Sequence, residues 1–163
     1  SSDGTIKKIL ENLTTSNGLS WSPDGNTMYL ADSWESTIWK YDYNQKTGDI
    51  SNKCIFFKTN KNQGRPDGAC VDSLGCYWFA GFDGGRILRI SPCGELNREI
   101  IVPMKRPTMP AFGGRNMNTL FVTSFGNTSN TNSIKDNDPM NGNIISLSLD
   151  VKGFEETPFN CSV

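Results

Sequence analysis

An internal repeat constrains the fold of this chain more than any other feature of its sequence. Residues 17–31 align with residues 67–81 at a constant offset of 50, which places Gly25 on Gly75 in the turn of each copy. A third copy, residues 110–124, matches at an offset of 42 to 43 with one extra residue in its turn. Repetition of this kind predicts that one supersecondary unit is stacked several times along the chain.

Each copy has the pattern of a strand, a tight turn and a second strand. Short apolar runs with aromatic and β-branched residues are interrupted by Pro-Asp-Gly, Ser-Leu-Gly or Gly-Gly-Arg-Asn, and this is the pattern of a β-hairpin. The sequence then predicts third strands at residues 37–42, 86–91 and 143–149, and fourth strands at residues 53–58 and 99–102. No segment has the sustained apolar period of an amphipathic helix.

Four strands in each repeat predict an all-β fold, a β-propeller with about three four-stranded blades. The blades span residues 17–58, 67–103 and 108–159 of one domain, 1–163, and residues 1–13 have the form of the last strand of a truncated blade. A β-sandwich is the alternative, but sandwiches do not ordinarily repeat the same turn and strand sequence three times. Known propellers close with about four to eight blades. We therefore expect a missing N-terminal half or half-rings that pair, with self-association through open blade edges.

The charge balance and the absence of histidine exclude several classes of function. The chain has 163 residues, with 16 basic and 17 acidic side chains and a net charge of −1. It has no long basic cluster and no apolar run of about 18 residues, so neither nucleic acid nor a membrane is an expected partner. Without histidine, a Ser-His-Asp or Cys-His centre or a histidine-ligated zinc site cannot form within this chain. Carboxylates, other oxygen ligands and thiols remain for any chemistry.

The cysteines and the N-terminal sequence indicate the cellular compartment. The five cysteines, an odd number at irregular spacing, are expected to be reduced thiols, with Cys93 exposed in a turn and the other four buried. The N-terminal sequence Ser-Ser-Asp-Gly has no signal-peptide pattern. We therefore expect a cytoplasmic location.

Two polar residues, Asn17 and Asp67, occupy equivalent positions at the start of the innermost strand of the first two repeats. In a propeller both side chains would point into the axial channel at the same height. An amide oxygen and a carboxylate suit Ca²⁺, Mg²⁺ or Mn²⁺, and Zn²⁺ also accepts oxygen ligands. The alternative is that Asn-Gly and Asp-Gly are turn dipeptides selected for backbone shape. The third repeat has Met109 in this position, so its blade is expected to line the channel without binding metal.

Four motifs in order along the chain resemble one known family. They are the run from Ser16 to Ser33 (SNGLSWSPDGNTMYLADS), the run from Gly64 to Asp72 (GRPDGACVD), the run from Arg106 to Gly114 (RPTMPAFGG) and the run from Leu120 to Ser124 (LFVTS). This combination resembles the regucalcin, gluconolactonase and luciferin-regenerating enzyme family. The resemblance implies a six-bladed propeller that binds a divalent cation in its central channel, and many members hydrolyse sugar lactones.

The resemblance also assigns roles to residues of this chain. It implies that Asn17 is a metal ligand and that Asp67 is a metal ligand that also handles a proton. The third ligand of the family, a glutamate near the N-terminus, has no counterpart here. The resemblance therefore implies a site that is complete only with the missing N-terminal blades.

The resemblance, together with these residues, implies a metal-dependent hydrolase of sugar lactones, a small polar substrate. In such a reaction the cation polarises the lactone carbonyl and a carboxylate, here Asp67, positions or deprotonates water. The loops after the second strands, residues 33–36, 82–85 and 125–142, are expected to surround the site. There Trp34 either stacks on a sugar face or packs between blades, and residues 135–138 belong to a lid or a solvated loop. The alternatives are an esterase or phosphotriesterase, a non-catalytic cation-binding regulatory propeller, and a half-propeller interaction module.

Overall fold

The computed structural model of the chain describes residues 6–126 and 139–155, and all regular secondary structure in these ranges is β-strand. The strands are β1 (Ser16–Trp21), β2 (Thr27–Asp32), β3 (Thr37–Tyr43), β4 (Ile50–Lys58), β5 (Arg65–Val71), β6 (Tyr77–Phe82), β7 (Arg86–Ile90), β8 (Leu96–Ile101), β9 (Pro107–Gly113), β10 (Thr119–Ser124) and β11 (Ile144–Ser148). The all-β prediction is confirmed. No helix in the described ranges has the length and apolar character needed to span a membrane.

The strands form three antiparallel sheets, one for each sequence repeat. Their orders are β1-β2-β3-β4, β5-β6-β7-β8 and β9-β10-β11, so neighbours in the sheet are neighbours in sequence. Each sheet is thus a meander in which the first strand of the repeat is an edge strand. The third repeat forms three strands within the described residues. The number of blades in a closed ring stays a prediction.

The N-terminal segment differs from its predicted form. No strand lies in residues 6–13, although a closing strand was expected there, because a strand requires a hydrogen-bonded neighbour and no described strand pairs with this segment. Leu10 and Leu13 instead pack against a cluster of Met28, Leu30 and Tyr41 on the first sheet. The assignment of residues 1–13 to a further blade stays a prediction.

Two apolar layers hold the sheets against one another. The first joins the sheet of β1–β4 to that of β5–β8 and contains Tyr29, Ala31, Ile38, Phe56, Ala69, Val71, Tyr77, Phe79, Leu88 and Ile90. The second, which includes Trp78, Ile87, Leu120 and Val122, joins the sheet of β5–β8 to that of β9–β11. Because β6 contributes Tyr77 and Phe79 to one layer and Trp78 and Ala80 to the other, it is buried on both faces. The sheets are therefore stacked face to face in the order of the repeats.

The innermost strands β1, β5 and β9 lie side by side, and two glycines permit their close approach. A Cβ added at Gly18 would lie 2.2 Å from the Tyr77 hydroxyl and 3.0 Å from the Asp67 carbonyl oxygen. A Cβ added at Gly68 would lie 2.7 Å from the Thr108 carbonyl oxygen. Only glycine fits at such contacts, so the Asn-Gly and Asp-Gly pairs also serve the packing of the strands.

The strand register corrects two details of the sequence alignment. Trp21 pairs with Met28, Val71 with Tyr77 and Phe112 with Leu120, so the second hairpin has the shortest turn and the third the longest. The offset of 50 therefore holds only up to the turn. On the third sheet the Thr108 carbonyl faces Gly68 as the Asp67 carbonyl faces Gly18. Thr108 is thus the counterpart of Asp67, and the assignment of Met109 to that position was wrong because it allowed for too few extra turn residues.

The cysteines match their predicted environments only in part. Cys54, Cys76 and Cys93 are free thiols, as expected, with Cys76 buried and Cys93 exposed, and Cys70 is half-buried. Cys54 is exposed rather than buried, because β4 is the outer edge strand of its sheet and residues 51–55 face solvent. Cys161 lies outside the described residues. None of the four described cysteines lines the cavity described next.

Candidate functional site

One cavity of about 170 Å³ gathers the three residues predicted from sequence to form the site. It lies at the end of the sheets where β1 and β5 begin and β2 and β6 end. Its lining residues are Thr15, Asn17, Ser33, Trp34, Arg65, Asp67 and Phe82. Asn17 and Asp67 thus face one space from two adjacent sheets, and Trp34 comes from the first of the predicted rim loops. Residues 127–138 of the third predicted rim loop, with the proposed lid at 135–138, lie outside the described residues.

A chain of two hydrogen bonds fixes the orientation of the Asn17 side chain. Its amide nitrogen Nδ2 donates to the Ser33 hydroxyl oxygen at 2.9 Å, and that hydroxyl donates to the Pro66 carbonyl oxygen at 2.6 Å. A serine hydroxyl has one proton to donate. Because that proton is used on Pro66, Ser33 can only accept from Asn17, and the Asn17 oxygen Oδ1 remains free of this contact and can act as a ligand.

The backbone leading into β1 is fixed by the residue next to Ser33. The buried carboxylate of Asp32 accepts hydrogen bonds from the backbone amides of Thr14 and Thr15 at 2.8 and 3.0 Å. The Ser33 amide in turn donates to the Thr15 carbonyl at 2.9 Å. Two consecutive residues at the end of β2 therefore position both the start of β1 and the Asn17 side chain.

Asp67 is a half-buried carboxylate whose environment disfavours its charge. Burial raises the pKa of Asp67 above its ordinary value, while the nearby charge of Arg65 and a hydrogen bond from the Gly68 amide act in the opposite direction. A partly desolvated carboxylate gains from the approach of a cation because the cation restores the lost solvation. The carboxylate is therefore placed in a setting that favours metal coordination.

Arg65 lies between two aromatic rings at the edge of the same cavity. Its guanidinium carbon is 4.3 Å from the centre of the Trp34 ring and 5.2 Å from that of the Phe82 ring. Trp34 is 64% exposed, so it contacts the neighbouring sheet through Arg65 and still offers ring surface to solvent. The two predicted roles of Trp34, packing between blades and stacking on a substrate, are compatible in this arrangement.

A shared carboxylate links Arg65 to a second arginine. Asp83 accepts from Nη2 of Arg65 through Oδ2 at 2.5 Å and from Nε of Arg106 through Oδ1 at 2.9 Å. Burial alone would raise the pKa of Asp83, but the hydrogen bond from Arg106 and the charge of Arg65 outweigh it and hold the pKa below its ordinary value. Asp83 therefore stays ionised between two cations.

The donor set can supply part of the coordination shell of a divalent cation. Asn17 Oδ1 and the Asp67 carboxylate are hard oxygen ligands of the kind that Ca²⁺ and Mg²⁺ prefer. Within residues 6–126 and 139–155, no group of three or more His, Cys, Asp or Glu side chains could hold a metal ion. The residues fit a cation whose remaining ligands are water, substrate or groups from outside these ranges.

Ser33 and Arg65 are functional candidates to which the sequence analysis assigns no contact or ligand. Each lies within a motif singled out above, but nothing in the linear pattern shows what it contacts. Ser33 reaches Pro66 from the preceding sheet, and Arg65 reaches Trp34 in the opposite direction. Their roles arise from the packing of adjacent sheets. The only signal in the sequence was their position. Ser33 follows the second strand of the repeat that contains Asn17, and Arg65 lies two residues before Asp67.

Comparisons with known proteins identify the family of this chain. The family model of the SMP-30/Gluconolactonase/LRE-like region matches residues 1–126. A 6-deoxy-6-sulfogluconolactonase of Pseudomonas putida is 38% identical over 144 residues, which cover 88% of this chain and 49% of that protein. A luciferin-regenerating enzyme of known structure superposes with a TM-score of 0.84 at 36% identity, over 94% of this chain and 52% of its own.

A second solved structure gives a similar result. A calcium-binding protein, regucalcin, from Agrobacterium tumefaciens superposes with a TM-score of 0.85 at 26% identity, over 96% of this chain and 53% of its own. The chain spans about half the length of the curated relatives it matches. On the match of the family model and on these similarities, the chain belongs to the SMP-30, gluconolactonase and luciferin-regenerating enzyme-like family.

Proposed function

We propose that this chain provides half of the active site of a metal-dependent hydrolase of sugar lactones. The observation that supports the proposal most is the single cavity into which Asn17 and Asp67 both project, beside the exposed ring of Trp34. Relatives described as lactonases, such as the 6-deoxy-6-sulfogluconolactonase of Pseudomonas putida, support the reaction class.

Each side chain has a separate part in the proposed reaction. Asn17 and Asp67 would hold a divalent cation, of which Ca²⁺, Zn²⁺, Mn²⁺ and Mg²⁺ are the candidates. When bound, such a cation polarises a lactone carbonyl and stabilises the negative charge that develops on it. Asp67 orients the attacking water and accepts hydrogen bonds from it, since cation binding lowers the basicity of a carboxylate. Trp34 stacks on the apolar face of the sugar ring.

We further propose that the complete enzyme is a six-bladed propeller. The chain spans about half of its curated relatives, and the described residues contain three sheets. N-terminal blades would supply a third oxygen ligand and the opposite wall of the cavity. The cytoplasmic location expected from the sequence stays a prediction.

A non-catalytic role is the second candidate. Binding of a cation needs only the ligands, and one related structure is described as a calcium-binding protein. In that case the propeller would bind the cation as a regulatory protein, or the half-propeller would serve as an interaction module. Turnover of a lactone distinguishes these possibilities.

The test uses the complete protein with glucono-1,5-lactone as substrate. Hydrolysis should require a divalent cation, stop on chelation and return when the cation is restored. The Asp67→Ala variant should lose at least about a hundredfold in kcat, near 3 kcal/mol of barrier. Glu35→Ala removes an exposed carboxylate of the rim loop and serves as the control. Hydrolysis that resists chelators, or an Asp67→Ala variant with normal turnover, contradicts the proposal.

A further inference from the structure

We infer that Arg65 makes this cavity selective for lactones that carry an anionic substituent, such as a phosphate, sulfonate or carboxylate group. The inference rests on the proposed lactone hydrolysis and adds the charge of the substrate to it. It is drawn from the position, the packing and the charge surroundings of Arg65.

The position of Arg65 places a positive charge beside the proposed cation site. Arg65 and Asp67 are two residues apart on β5, so both lie on the same side of the strand and line the same cavity. Alternate residues of a strand are separated by about 7 Å. A lactone whose carbonyl is close to Asp67 would therefore extend toward Arg65 with the far side of its ring.

The packing of Arg65 orients its guanidinium before any ligand arrives. Trp34 and Phe82 lie over the guanidinium group, and Asp83 takes a hydrogen bond from Nη2. A guanidinium has five N–H donors in its plane, so donors remain beyond the one used on Asp83. Because the side chain is already held in place, binding an anionic group would cost little side-chain entropy.

Arg65 shares its carboxylate partner at this end of the cavity with a second arginine. Asp83 carries a single negative charge and is shared by Arg65 and Arg106. The side chain of Arg106 is 8% exposed, whereas that of Arg65 is 27% exposed. Arg106 is thus the buried partner of Asp83, and Arg65 is the cation that a ligand in the cavity can reach.

This arrangement suits a group that offers two oxygen atoms in one plane. Arginine binds phosphate and carboxylate oxygens through paired N–H donors, with a geometry that lysine cannot reproduce. A neutral hydroxymethyl group would gain a single ordinary hydrogen bond at the same position. Anionic lactones should therefore bind more tightly than neutral ones, with the difference in KM.

The first experiment compares three substrates on the complete, metal-loaded protein. The substrates are glucono-1,5-lactone, 6-phosphoglucono-1,5-lactone and glucaro-1,4-lactone, whose exocyclic group is a carboxylate. We expect kcat/KM of the wild type to be at least tenfold higher for one anionic lactone than for the neutral lactone. The anion that shows the preference identifies the substituent.

The same measurement on variants assigns the preference to Arg65. In Arg65→Gln the ratio of anionic to neutral kcat/KM should fall at least tenfold, mainly through KM, and Arg65→Lys should restore only part of it. Arg98→Gln removes the same charge at the exposed pair with Asp150, and its ratio should equal that of the wild type. An unchanged ratio in Arg65→Gln, or a wild type that prefers the neutral lactone, overturns the inference.

A binding measurement separates this inference from the reaction itself. We expect 6-phosphogluconate to bind at least tenfold more tightly than gluconate, as measured by calorimetry, and Arg65→Gln to abolish the difference. If no lactone is hydrolysed but this Arg65-dependent binding occurs, the proposed reaction is wrong and the anion site stands. If the neutral lactone is hydrolysed and the two acids bind equally, the anion site is wrong and the reaction stands.

Discussion

The oxygen atoms that would hold the cation are oriented by groups that do not themselves touch it. The Ser33 hydroxyl accepts from the amide of Asn17 and donates to the carbonyl that precedes Asp67, so one side chain connects the two proposed ligands. Loss of such a supporting contact typically costs about 10- to 100-fold in metal affinity.

Ser33→Ala is therefore expected to weaken cation binding about tenfold or more without removing a ligand. The Asn17 amide could then rotate its nitrogen toward the cation site, and the Pro66 carbonyl would lose its hydrogen bond. Calorimetric titration of the complete protein with Ca²⁺ or Mn²⁺ measures the effect. Ser51→Ala, on the exposed edge strand β4, is the matched control. Equal affinities for the two variants would contradict this role of Ser33.

Asp67→Asn should abolish cation binding and at the same time raise the midpoint of thermal unfolding of the metal-free protein by about 1–3 °C. Burial raises the pKa of Asp67 in the folded protein, so ionisation of this carboxyl costs more in the folded state than in the unfolded chain. A neutral amide avoids this cost. Glu35→Gln is the control for removal of an exposed carboxylate. A metal-free Asp67→Asn protein that is less stable than the wild type would show that burial is not the dominant influence.

The raised pKa of Asp67 makes both protein stability and cation affinity depend on pH. The lowered pKa values of Asp83 and Asp150 make the stability of the whole protein rise with pH. Because the folded-state pKa of Asp67 is raised, the contribution of this one carboxyl to the stability of the metal-free protein should instead be lost as the pH rises from the ordinary value, 3.8, through the folded pKa. Cation affinity should change in the opposite sense and fall as the pH drops through the folded pKa, since protons then compete for the carboxylate. Thermal unfolding and cation titration between pH 3 and pH 7 test both trends, and the difference in unfolding midpoint between the wild type and Asp67→Asn isolates the contribution of Asp67.

The sequence was sufficient to place Asn17 and Asp67 near each other but could not give the groups around them. The repeated sequence identifies equivalent positions, and equivalent positions of stacked sheets lie at the same end of the fold. Ser33 and Arg65 act on the neighbouring sheet, so their partners depend on how the sheets pack. The sequence motifs identify these two residues, but their contacts can be determined only from the three-dimensional structure.

At the scale of strands, the glycine after Asp67 controls the distance between β5 and β9. Gly68→Ala would place a Cβ 2.5 Å from the Met109 sulfur and 2.7 Å from the Thr108 carbonyl oxygen. The sulfur can move, but the backbone oxygen cannot move without shifting β9. We expect a loss of about 1–3 kcal/mol in the free energy of unfolding. Chemical denaturation measures it.

Gly126→Ala is the control for this substitution, because its nearest atom, Gly142 Cα, lies at 3.4 Å, an ordinary contact distance. It should change the free energy of unfolding by less than about 0.5 kcal/mol. A Gly68→Ala protein as stable as the Gly126→Ala protein would mean that β5 and β9 separate at no cost. In that case the close approach of the innermost strands would not contribute to the position of Asp67.

Strands were easier to predict than the register between them. The alternation of apolar and polar residues and the turn dipeptides gave β3, β7 and β11 to within one residue at each end. The register depends on the length of each turn. A sequence alignment does not determine where the extra residues of a turn lie when the neighbouring residues are similar. For this reason Met109 was placed where Thr108 lies, an error of one position that also reverses the face of the strand.

At the scale of the molecule, the described sheets leave strand edges and one side of the cavity uncovered. Leu19 and Met109 of the innermost strands β1 and β9 are exposed, as they would be if they faced the channel of the proposed ring, whose other wall the described residues do not form. The chain covers about half of its relatives. These facts agree with the proposal that further blades complete the ring.

If further blades complete the ring, the 163-residue chain alone should not be a competent lactonase, and it should self-associate. Two hard ligands leave most of the coordination shell to water, which weakens both cation binding and the charge stabilisation that requires a water-excluded pocket. Unpaired strand edges and uncovered apolar faces offer contacts to a second copy. Turnover of glucono-1,5-lactone with saturating Mn²⁺, Zn²⁺ or Ca²⁺, measured together with light scattering, tests both parts against the complete protein. A monomeric 163-residue chain with metal-dependent turnover near that of the complete protein would show that Asn17, Asp67 and water suffice, and that the further blades are dispensable for catalysis.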